Sequence, residues 1–318
     1  MTPTPPALIA DIGGTNARFA LSPPGGAEYD ERTLPCADYP GLAEAALAYL
    51  AMVKPPVAPT IGAFCVACPV LGDAVALTNN PWRFSIAELQ ATLGLERLDM
   101  INDFAANALA CPHLPASDLV QVGGGQGREG FPVGVIGPGT GLGVALLVPD
   151  GPGRWVAVAG EGGHVTLPAE TEREAAVITL VRRQFAHVSA ERLGNGAGLS
   201  ILYATLAELD GRAVAPLDAA GVAARAVAGD DPHAVEALSM FFAFLGTVAG
   251  NLALHGTLGG VYIMGGIVPR VLDFFQRSPF RSRFEAKGRS STYVRDIPAW
   301  VVTCPYPAFL GLATLTRR

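Results

Sequence analysis

The chain has 318 residues, of which 50% are apolar and 16% are charged. This length suggests about two domains, and the apolar content excludes wholesale disorder. The formal charge is −6 and no basic run is present, which argues against nucleic acid as the main partner.

The cysteines and the start of the sequence bear on the cellular compartment. Five cysteines with no framework spacing argue against a secreted disulfide scaffold. The first residues contain neither a basic start nor a signal-like apolar core, so we expect a cytoplasmic protein. Cys65-Val-Ala-Cys68 has the spacing of a redox dithiol. However, Pro69 follows it and an apolar run precedes it, which favours two core residues at a strand.

One segment is apolar enough to span a membrane. Residues 237–268 contain no Asp, Glu, Lys or Arg. Asn251 and His255 lie within it and no cluster of basic residues flanks it, which favours a buried central helix. Phe241, Phe242 and Phe244 are expected core residues of that helix.

Apolar periodicity and turn residues predict alternating strands and helices in the first half. Tyr39 to Val53 has helical spacing, and Ser85 caps a helix with Glu88 at the capping-box position. A break at Cys111–Pro115 marks the first domain boundary. Strands are predicted at 8–12, 17–21, 61–66, 75–78 and 98–101, and a helix follows the last of them to Ala110.

The second half opens in the same way, with a strand, a glycine-rich turn and a returning strand. The predicted strands are 133–136, 144–148, 261–264 and 301–303, and the predicted helices are 171–188, 198–209, 218–228, 232–254 and 308–316. The pattern indicates an α/β protein.

The two halves share a sequence echo. Asp11-Ile-Gly-Gly-Thr15 and Ile136-Gly-Pro-Gly-Thr140 superpose at an offset of 125 residues. Each lies between two predicted strands, as a duplicated fold would produce.

Both turns are candidate phosphate cradles, because glycine lets backbone N–H groups converge on a ligand and threonine adds a hydroxyl donor. Either turn alone is more typical of a tight hairpin. The segment 137–143 also departs from the dinucleotide fingerprint, and a strand rather than a helix follows it. Two such turns, the first preceded by Asp11, favour phosphate binding.

Several segments together resemble the bacterial glucokinases, within the hexokinase/actin-like ATPases. The segments 11–18 and 137–143 are similar to the two phosphate motifs of that family, and Ile101-Asn-Asp-Phe104 is similar to its catalytic segment. Glu161-Gly-Gly-His164 and Ser189-Ala-Glu-Arg192 resemble its sugar-binding segments, and Met264–Arg270 resembles its adenosine-side motif. They follow the family's order over nearly the whole chain.

The resemblance implies a two-lobed fold of duplicated ribonuclease-H-like domains with an interlobe cleft. It implies a small domain over residues 1–111, completed by a C-terminal helix at about 305–318, and a larger domain over 112–304. It also implies a homodimer.

The resemblance further implies an enzyme that transfers phosphate from ATP to the 6-hydroxyl of glucose, with Mg²⁺. Asp103 would be the catalytic base, and the sugar would be bound by Asp103, Asn102, Glu161, His164 and Glu191. Asp11 would hold Mg²⁺, through water. The expected nucleotide-binding residues are Asp11, Gly13, Gly14, Thr15, Asn16, Gly137, Gly139, Thr140, Gly141, Gly265 and Gly266.

Some of these residues have simpler interpretations. Asp103 is also a candidate N-cap of the helix that follows it. Asp11 is also typical of a strand-end residue that bonds a turn. Gly265 and Gly266 suit a strand-to-helix turn. Trp82 is expected in the core, with a possible part in shaping the sugar edge.

Two further expectations concern metals and rival functions. The cysteine-rich zinc motif that follows Glu-Gly-Gly-His in some relatives of the family is missing here, so we expect no zinc. The alternatives are a kinase for mannose, fructose or an amino sugar, a non-catalytic sugar-binding regulator, and an actin-type structural protein. The first predicted strand begins at Leu8, so we expect no DNA-binding module before it. Glu161, His164 and Glu191 argue against the structural protein.

Overall fold

The structure is a computed structural model that describes residues 4–24 and 27–317. The chain divides into two compact units. Unit 1 takes the described residues of Met1–Pro115, Trp155–Ala159 and Cys304–Arg318, and unit 2 takes Ala116–Arg154 and Gly160–Thr303.

Most elements of unit 1 come from the first third of the chain. Its strands are β1 (Ala7–Ile12), β2 (Asn16–Ser22), β3 (Tyr29–Pro35), β4 (Ile61–Val66), β5 (Ala74–Ala76), β6 (Arg83–Ser85) and β7 (Arg97–Asn102). Its first helices are α1 (Leu42–Val53), α2 (Ile86–Thr92) and α3 (Asp103–Ala110).

The rest of the chain supplies the other elements. The strands are β8 (Leu119–Val122), β9 (Val133–Pro138), β10 (Leu142–Pro149), β11 (Trp155–Gly160), β12 (Gly260–Ile263) and β13 (Ala299–Val302). The helices are α4 (Glu172–Val181), α5 (Ala190–Leu193), α6 (Gly196–Leu209), α7 (Ala219–Ala228), α8 (Pro232–Ala253), α9 (Leu272–Arg277), α10 (Phe280–Glu285), α11 (Ser291–Arg295) and α12 (Pro307–Leu315).

The main sheet of unit 1 has the strand order β3-β2-β1-β4-β7. Strand β1 is antiparallel to β2 and parallel to β4, and β4 is parallel to β7. Asp11 pairs in register with Cys65, which pairs with Ile101. The carboxyl ends of the three parallel strands therefore meet at one edge, the edge at which α/β sheets bind ligands.

The second large sheet repeats this plan in the order β11-β10-β9-β12-β13-β8. Strand β9 is antiparallel to β10 and parallel to β12, and β12 is parallel to β13. The hairpins β1–β2 and β9–β10 thus occupy equivalent places in the two sheets. The sequence echo predicted this duplication, and the topology confirms it.

Each unit has its own apolar core. Helix α8 is the one described helix long and apolar enough to cross a membrane, and most of it is buried inside the protein. Phe241, Phe242 and Phe244 are at most 1% exposed. A side chain at Gly246 would meet the main chain of Phe280 in α10, so glycine lets these helices approach closely. The prediction of a buried central helix is confirmed.

Three predicted boundaries are wrong. Helix α1 begins at Leu42 rather than Tyr39, because a residue before proline avoids the helical conformation. Helix α4 ends at Val181 because Val188 returns to accept a hydrogen bond from Leu167 N–H. The turn predicted at 137–143 is confined to residues 139–141, because the flanking residues pair across the hairpin.

Candidate functional site

The first glycine turn, defined here as Gly13–Thr15, connects β1 to β2. The Gly13 N–H donates to the Asn16 carbonyl at 3.0 Å and closes the turn, and Asn16 opens β2. A Cβ atom at Gly14 would lie 3.0 Å from Asn79 Cβ and 3.1 Å from the Asn79 carbonyl oxygen. Gly14 therefore allows a close approach to the segment between β5 and β6, where a side chain would be tightly packed.

Asp11 lies on β1, just before this turn. Its Oδ2 is 3.2 Å from Arg18 Nη1, and its Oδ1 accepts a hydrogen bond from the Cys65 thiol at 3.6 Å. Burial raises the pKa of Asp11 above its ordinary value, while the Arg18 charge and the thiol act in the opposite direction. Among the described residues, Asp11 bonds these side chains and no turn N–H group, which does not support its alternative interpretation as a residue that bonds the turn.

Asn102 and Asp103 lie where β7 passes into α3. Asn102 is the N-cap, because its Oδ1 accepts hydrogen bonds from the N–H groups of Phe104 and Ala105. The expectation that Asp103 is the cap is wrong, since Asp103 is the first helical residue. The Asn102 amide donates to Asp103 Oδ1 at 3.0 Å, and the Phe104 N–H donates to the same oxygen at 2.9 Å. The Asp103 carboxylate is thus held in place at the carboxyl edge of the sheet.

The second glycine turn, Gly139–Gly141, connects β9 to β10 in unit 2. Gly137 is buried within β9, whereas Thr140 is exposed at the turn. The Gly139 N–H donates to the Gly141 carbonyl at 2.8 Å, and the Gly139 carbonyl accepts from Gly196 N–H at 3.0 Å. The turn therefore lies against the first residue of α6.

Gly265 and Gly266 follow β12 at the same edge of the sheet. The Met264 N–H donates to the Ile136 carbonyl at 2.9 Å, which continues the pairing of β12 with β9. Gly265 has a φ of 91°, and a Cβ there would lie 2.5 Å from the Pro138 carbonyl oxygen. Both the positive φ and the close approach require glycine. Both glycines are exposed.

Three polar side chains of unit 2 form a cluster, Glu161, His164 and Glu191. His164 Nε2 lies 3.8 Å from Glu161 Oε2 and 3.7 Å from Glu191 Oε1. The side chains of Glu161 and His164 are more than half exposed. The three side chains offer several donors and acceptors to a hydroxyl-rich ligand.

The two glycines between Glu161 and His164 fit a tight contact with β10. A Cβ at Gly163 would lie 2.0 Å from the Leu142 carbonyl oxygen, and one at Gly162 would lie 2.8 Å from Val144 Cβ. The segment Gly162–His164 is a single 3-10 turn. This turn fixes the position of His164 beside Glu191.

The candidate residues therefore form one group in each unit. In unit 1 the carboxyl edge of the sheet carries Asp11, the first turn, Asn102 and Asp103. In unit 2 the second turn, the two exposed glycines and the polar cluster gather around β9, β10 and β12. Asn80, whose amide donates to the Gly14 carbonyl, was not predicted as a functional residue.

Cys65 lies on β4 and both Cys65 and Cys68 are buried, which confirms them as core residues. Trp82 is also in the core, at 3% exposure. Among the described residues no group of three or more His, Cys, Asp or Glu side chains could hold a metal ion. The expected lack of zinc stays a prediction.

The duplicated sheets, each led by a hairpin with a Gly-Thr turn, define the class of protein: it has the actin-like ATPase fold. Comparison with known proteins agrees. A glucokinase from an Antarctic psychrotroph superposes with a TM-score of 0.88 at 36% identity, covering 99% of this chain and 100% of that one. The fold class predicted from the sequence is confirmed.

The family follows from the sequence comparisons. The family model for glucokinase matches residues 8–318. The glucokinase of Paramagnetospirillum magneticum is 52% identical over 97% of this chain and 96% of its own length. That of Aromatoleum aromaticum is 51% identical over 98% and 94%. The chain belongs to the glucokinase family, which confirms the predicted resemblance and the prediction of an enzyme that phosphorylates glucose.

Proposed function

We propose that the chain transfers the γ-phosphoryl group of ATP to the 6-hydroxyl of glucose. The observation that carries this proposal is the polar cluster of Glu161, His164 and Glu191. Hydrolysis of ATP alone would not require two carboxylates beside an exposed imidazole. A polyol, by contrast, presents hydroxyl groups that can both donate hydrogen bonds to these side chains and accept hydrogen bonds from them.

Asp103 is the proposed general base. A sugar hydroxyl is a weak nucleophile, and a carboxylate beside it accepts its proton as the oxygen attacks. The bond from O6 to the γ-phosphorus forms, the bond from that phosphorus to the β–γ bridging oxygen breaks, and ADP leaves. Asn102 and the Phe104 N–H hold one Asp103 oxygen, which supports a fixed orientation for the base. Asn102 also binds the sugar in this proposal.

The two glycine turns are the proposed phosphate sites. In the first, Gly14 and Thr15 contribute main-chain N–H groups and Thr15 also contributes a hydroxyl, while Gly13 and Asn16 close the turn through their own hydrogen bond. In the second, Gly139 and Gly141 shape the turn around Thr140, and Gly137 lies just before it in β9. Exposed Thr15 and Thr140 support this assignment, because their hydroxyls are open to a ligand. Gly265 and Gly266 are the proposed contact for adenosine.

Asp11 is the proposed Mg²⁺ residue. A single carboxylate suits Mg²⁺, which keeps several waters and takes phosphate oxygens as its other ligands. Since Arg18 and Cys65 already engage both Asp11 oxygens, a contact through water fits better than direct ligation. When bound, the ion would offset the charge of the phosphate groups.

A coupled assay of ADP formation with a panel of sugars, with Mg²⁺ or with a chelator, tests the proposal. We expect ADP to form when both glucose and Mg²⁺ are present. One molecule of glucose phosphorylated at the 6-position should form for each molecule of ADP. Faster turnover of mannose, fructose or an amino sugar would indicate a kinase for that sugar. Glucose binding without turnover would indicate a regulator, and ADP release without sugar would overturn the proposal.

We also propose a cytoplasmic homodimer. The free cysteines support a cytoplasmic location, where thiols stay reduced. All five lie in the described part of the chain, none is in a disulfide, and four are buried. The homodimer rests on the family resemblance. Light scattering across a concentration series would test it, and a monomer at micromolar concentration would contradict it.

A further inference from the structure

The three carbonyl groups of the first glycine turn are all held by neighbouring residues. The Gly13 carbonyl accepts from the Cys36 thiol at 3.7 Å, and the Thr15 carbonyl accepts from the Cys36 N–H at 2.8 Å. The Gly14 carbonyl accepts from Asn80 Nδ2 at 3.2 Å. The central bond of the three therefore comes from a side chain 66 residues away in sequence.

This arrangement fixes the direction of the turn's N–H groups. In a trans peptide the C=O and the following N–H point in opposite directions. Holding the carbonyls of Gly13 and Gly14 therefore directs the N–H groups of Gly14 and Thr15 away from Cys36 and Asn80. Within residues 4–24 and 27–317, no protein acceptor takes either N–H group. Two such donors on successive residues form the concave arrangement that binds anions.

Asn80 is itself anchored to the core of unit 1. Its Oδ1 accepts from the Trp82 N–H at 2.8 Å, and Trp82 Nε1 donates to the Tyr39 carbonyl at 3.1 Å. Trp82 is 3% exposed. A chain of contacts thus runs from the buried indole through the Asn80 amide to the Gly14 carbonyl.

We propose that Asn80 is a positioning residue for the nucleotide. It orients the Gly14–Thr15 peptide so that the Thr15 N–H faces the phosphate groups, without contacting the nucleotide itself. This inference rests on the proposed function, which assigns the first turn to phosphate binding. It predicts that the amide donor, and not merely a well-folded β5–β6 segment, sets the affinity for nucleotide.

Two substitutions separate the donor role of the Asn80 amide from its part in folding the β5–β6 segment. Asn80→Asp has nearly the same shape and keeps an acceptor for the Trp82 N–H, but an ionised carboxylate cannot donate to the Gly14 carbonyl. Asn80→Ser can also accept from the N–H two residues ahead, as serine does in turns, but is too short to reach Gly14. Gln90→Glu is a matched control, because Gln90 Nε2 donates to the Glu96 carbonyl at 3.0 Å in the same unit.

The test measures KM for ATP and for glucose, together with Kd for ADP by calorimetry without sugar. For Asn80→Asp and Asn80→Ser we expect KM for ATP and Kd for ADP to rise about tenfold, as the loss of a part-buried hydrogen-bond donor implies. We expect KM for glucose to stay within about twofold, and Gln90→Glu to match the wild type in all three constants.

Wild-type nucleotide affinity in either folded variant would overturn the inference, as would equal rises in both KM values. If Asn80→Asp does not fold, Asn80→Ser decides the question. Failure of the proposed function is a separate result: the wild-type protein would then form no ADP with glucose. The ADP titration still reports on Asn80 in that case.

Discussion

The Glu191 carboxylate accepts a hydrogen bond from the main-chain N–H of Leu142 at 2.9 Å. Leu142 immediately follows the second glycine turn, and the other Glu191 oxygen lies 3.7 Å from His164 Nε2. A Cβ at Gly141 would lie 2.6 Å from Glu191 Oε2. One side chain therefore contacts both the proposed phosphate turn and the proposed sugar cluster.

This double contact distinguishes Glu191 from Glu161, whose carboxylate lies 3.8 Å from His164 Nε2. Glu191→Ala should raise KM for both glucose and ATP, by about tenfold each, because it removes a sugar contact and a support of the turn. Glu161→Ala should raise KM for glucose alone. Steady-state kinetics of both variants, with glucose and ATP varied in turn, measures these KM values. An unchanged KM for ATP in Glu191→Ala would show that the turn does not need this contact.

Gly163 should be intolerant of any side chain. Gly163→Ala places a Cβ 2.0 Å from the Leu142 carbonyl oxygen, so the main chain must shift and carry His164 with it. We expect a loss of about 1–3 kcal/mol in the free energy of unfolding, as overpacking causes, and a higher KM for glucose. Gly160→Ala is the control, because its Cβ would meet no atom within 4 Å. Equal urea midpoints for the two variants would contradict this prediction.

The ion pair of Arg173 and Asp210 should make stability depend on acid pH. Arg173 donates to both Asp210 oxygens at 2.7 and 2.8 Å, and His233 Nε2 lies 3.1 Å away. Mainly through the Arg173 bonds, the pKa of Asp210 falls to about 2, from 3.8. Because the folded-state pKa is lowered, the stabilisation is present above the unfolded value and is lost as the pH falls towards 2.

Urea unfolding of the wild type and Asp210→Asn between pH 6 and pH 2 measures this contribution. The difference between their midpoints should be constant down to about pH 5 and then shrink as the pH falls. A difference that stays constant down to pH 2 would mean that Asp210 does not titrate as its contacts imply.

Local sequence signals were enough for much of the fold. Ser85 caps α2 by accepting from the Glu88 N–H, as the capping-box spacing predicts. Strand β4 matches its predicted bounds, because six apolar or small residues form one continuous run. By contrast, β3 was missed because six of its seven residues are exposed and they show no apolar alternation.

The parts that sequence reasoning missed depend on distant contacts or on register. Asn102 and Asp103 are both residue types that cap helices, and only the helix register decides that Asn102 does so. The end of α4 depends on the return of Val188 to Leu167, and the role of Asn80 depends on a carbonyl group in another hairpin. The gathering of Glu161, His164 and Glu191 followed only from the family resemblance, since no periodicity relates them.

The most direct test of the central claim, that Asp103 is the general base, is the kcat of Asp103→Asn with glucose affinity measured separately by calorimetry. Since Asn102 caps α3, this isosteric change should leave the helix folded and glucose bound. Asp99→Asn, on β7 just before that helix and paired with Arg97 at 3.1 Å, is the control. We expect kcat to fall at least ~10²-fold in Asp103→Asn and to be retained in the control. A kcat near the wild-type value in Asp103→Asn would contradict the account.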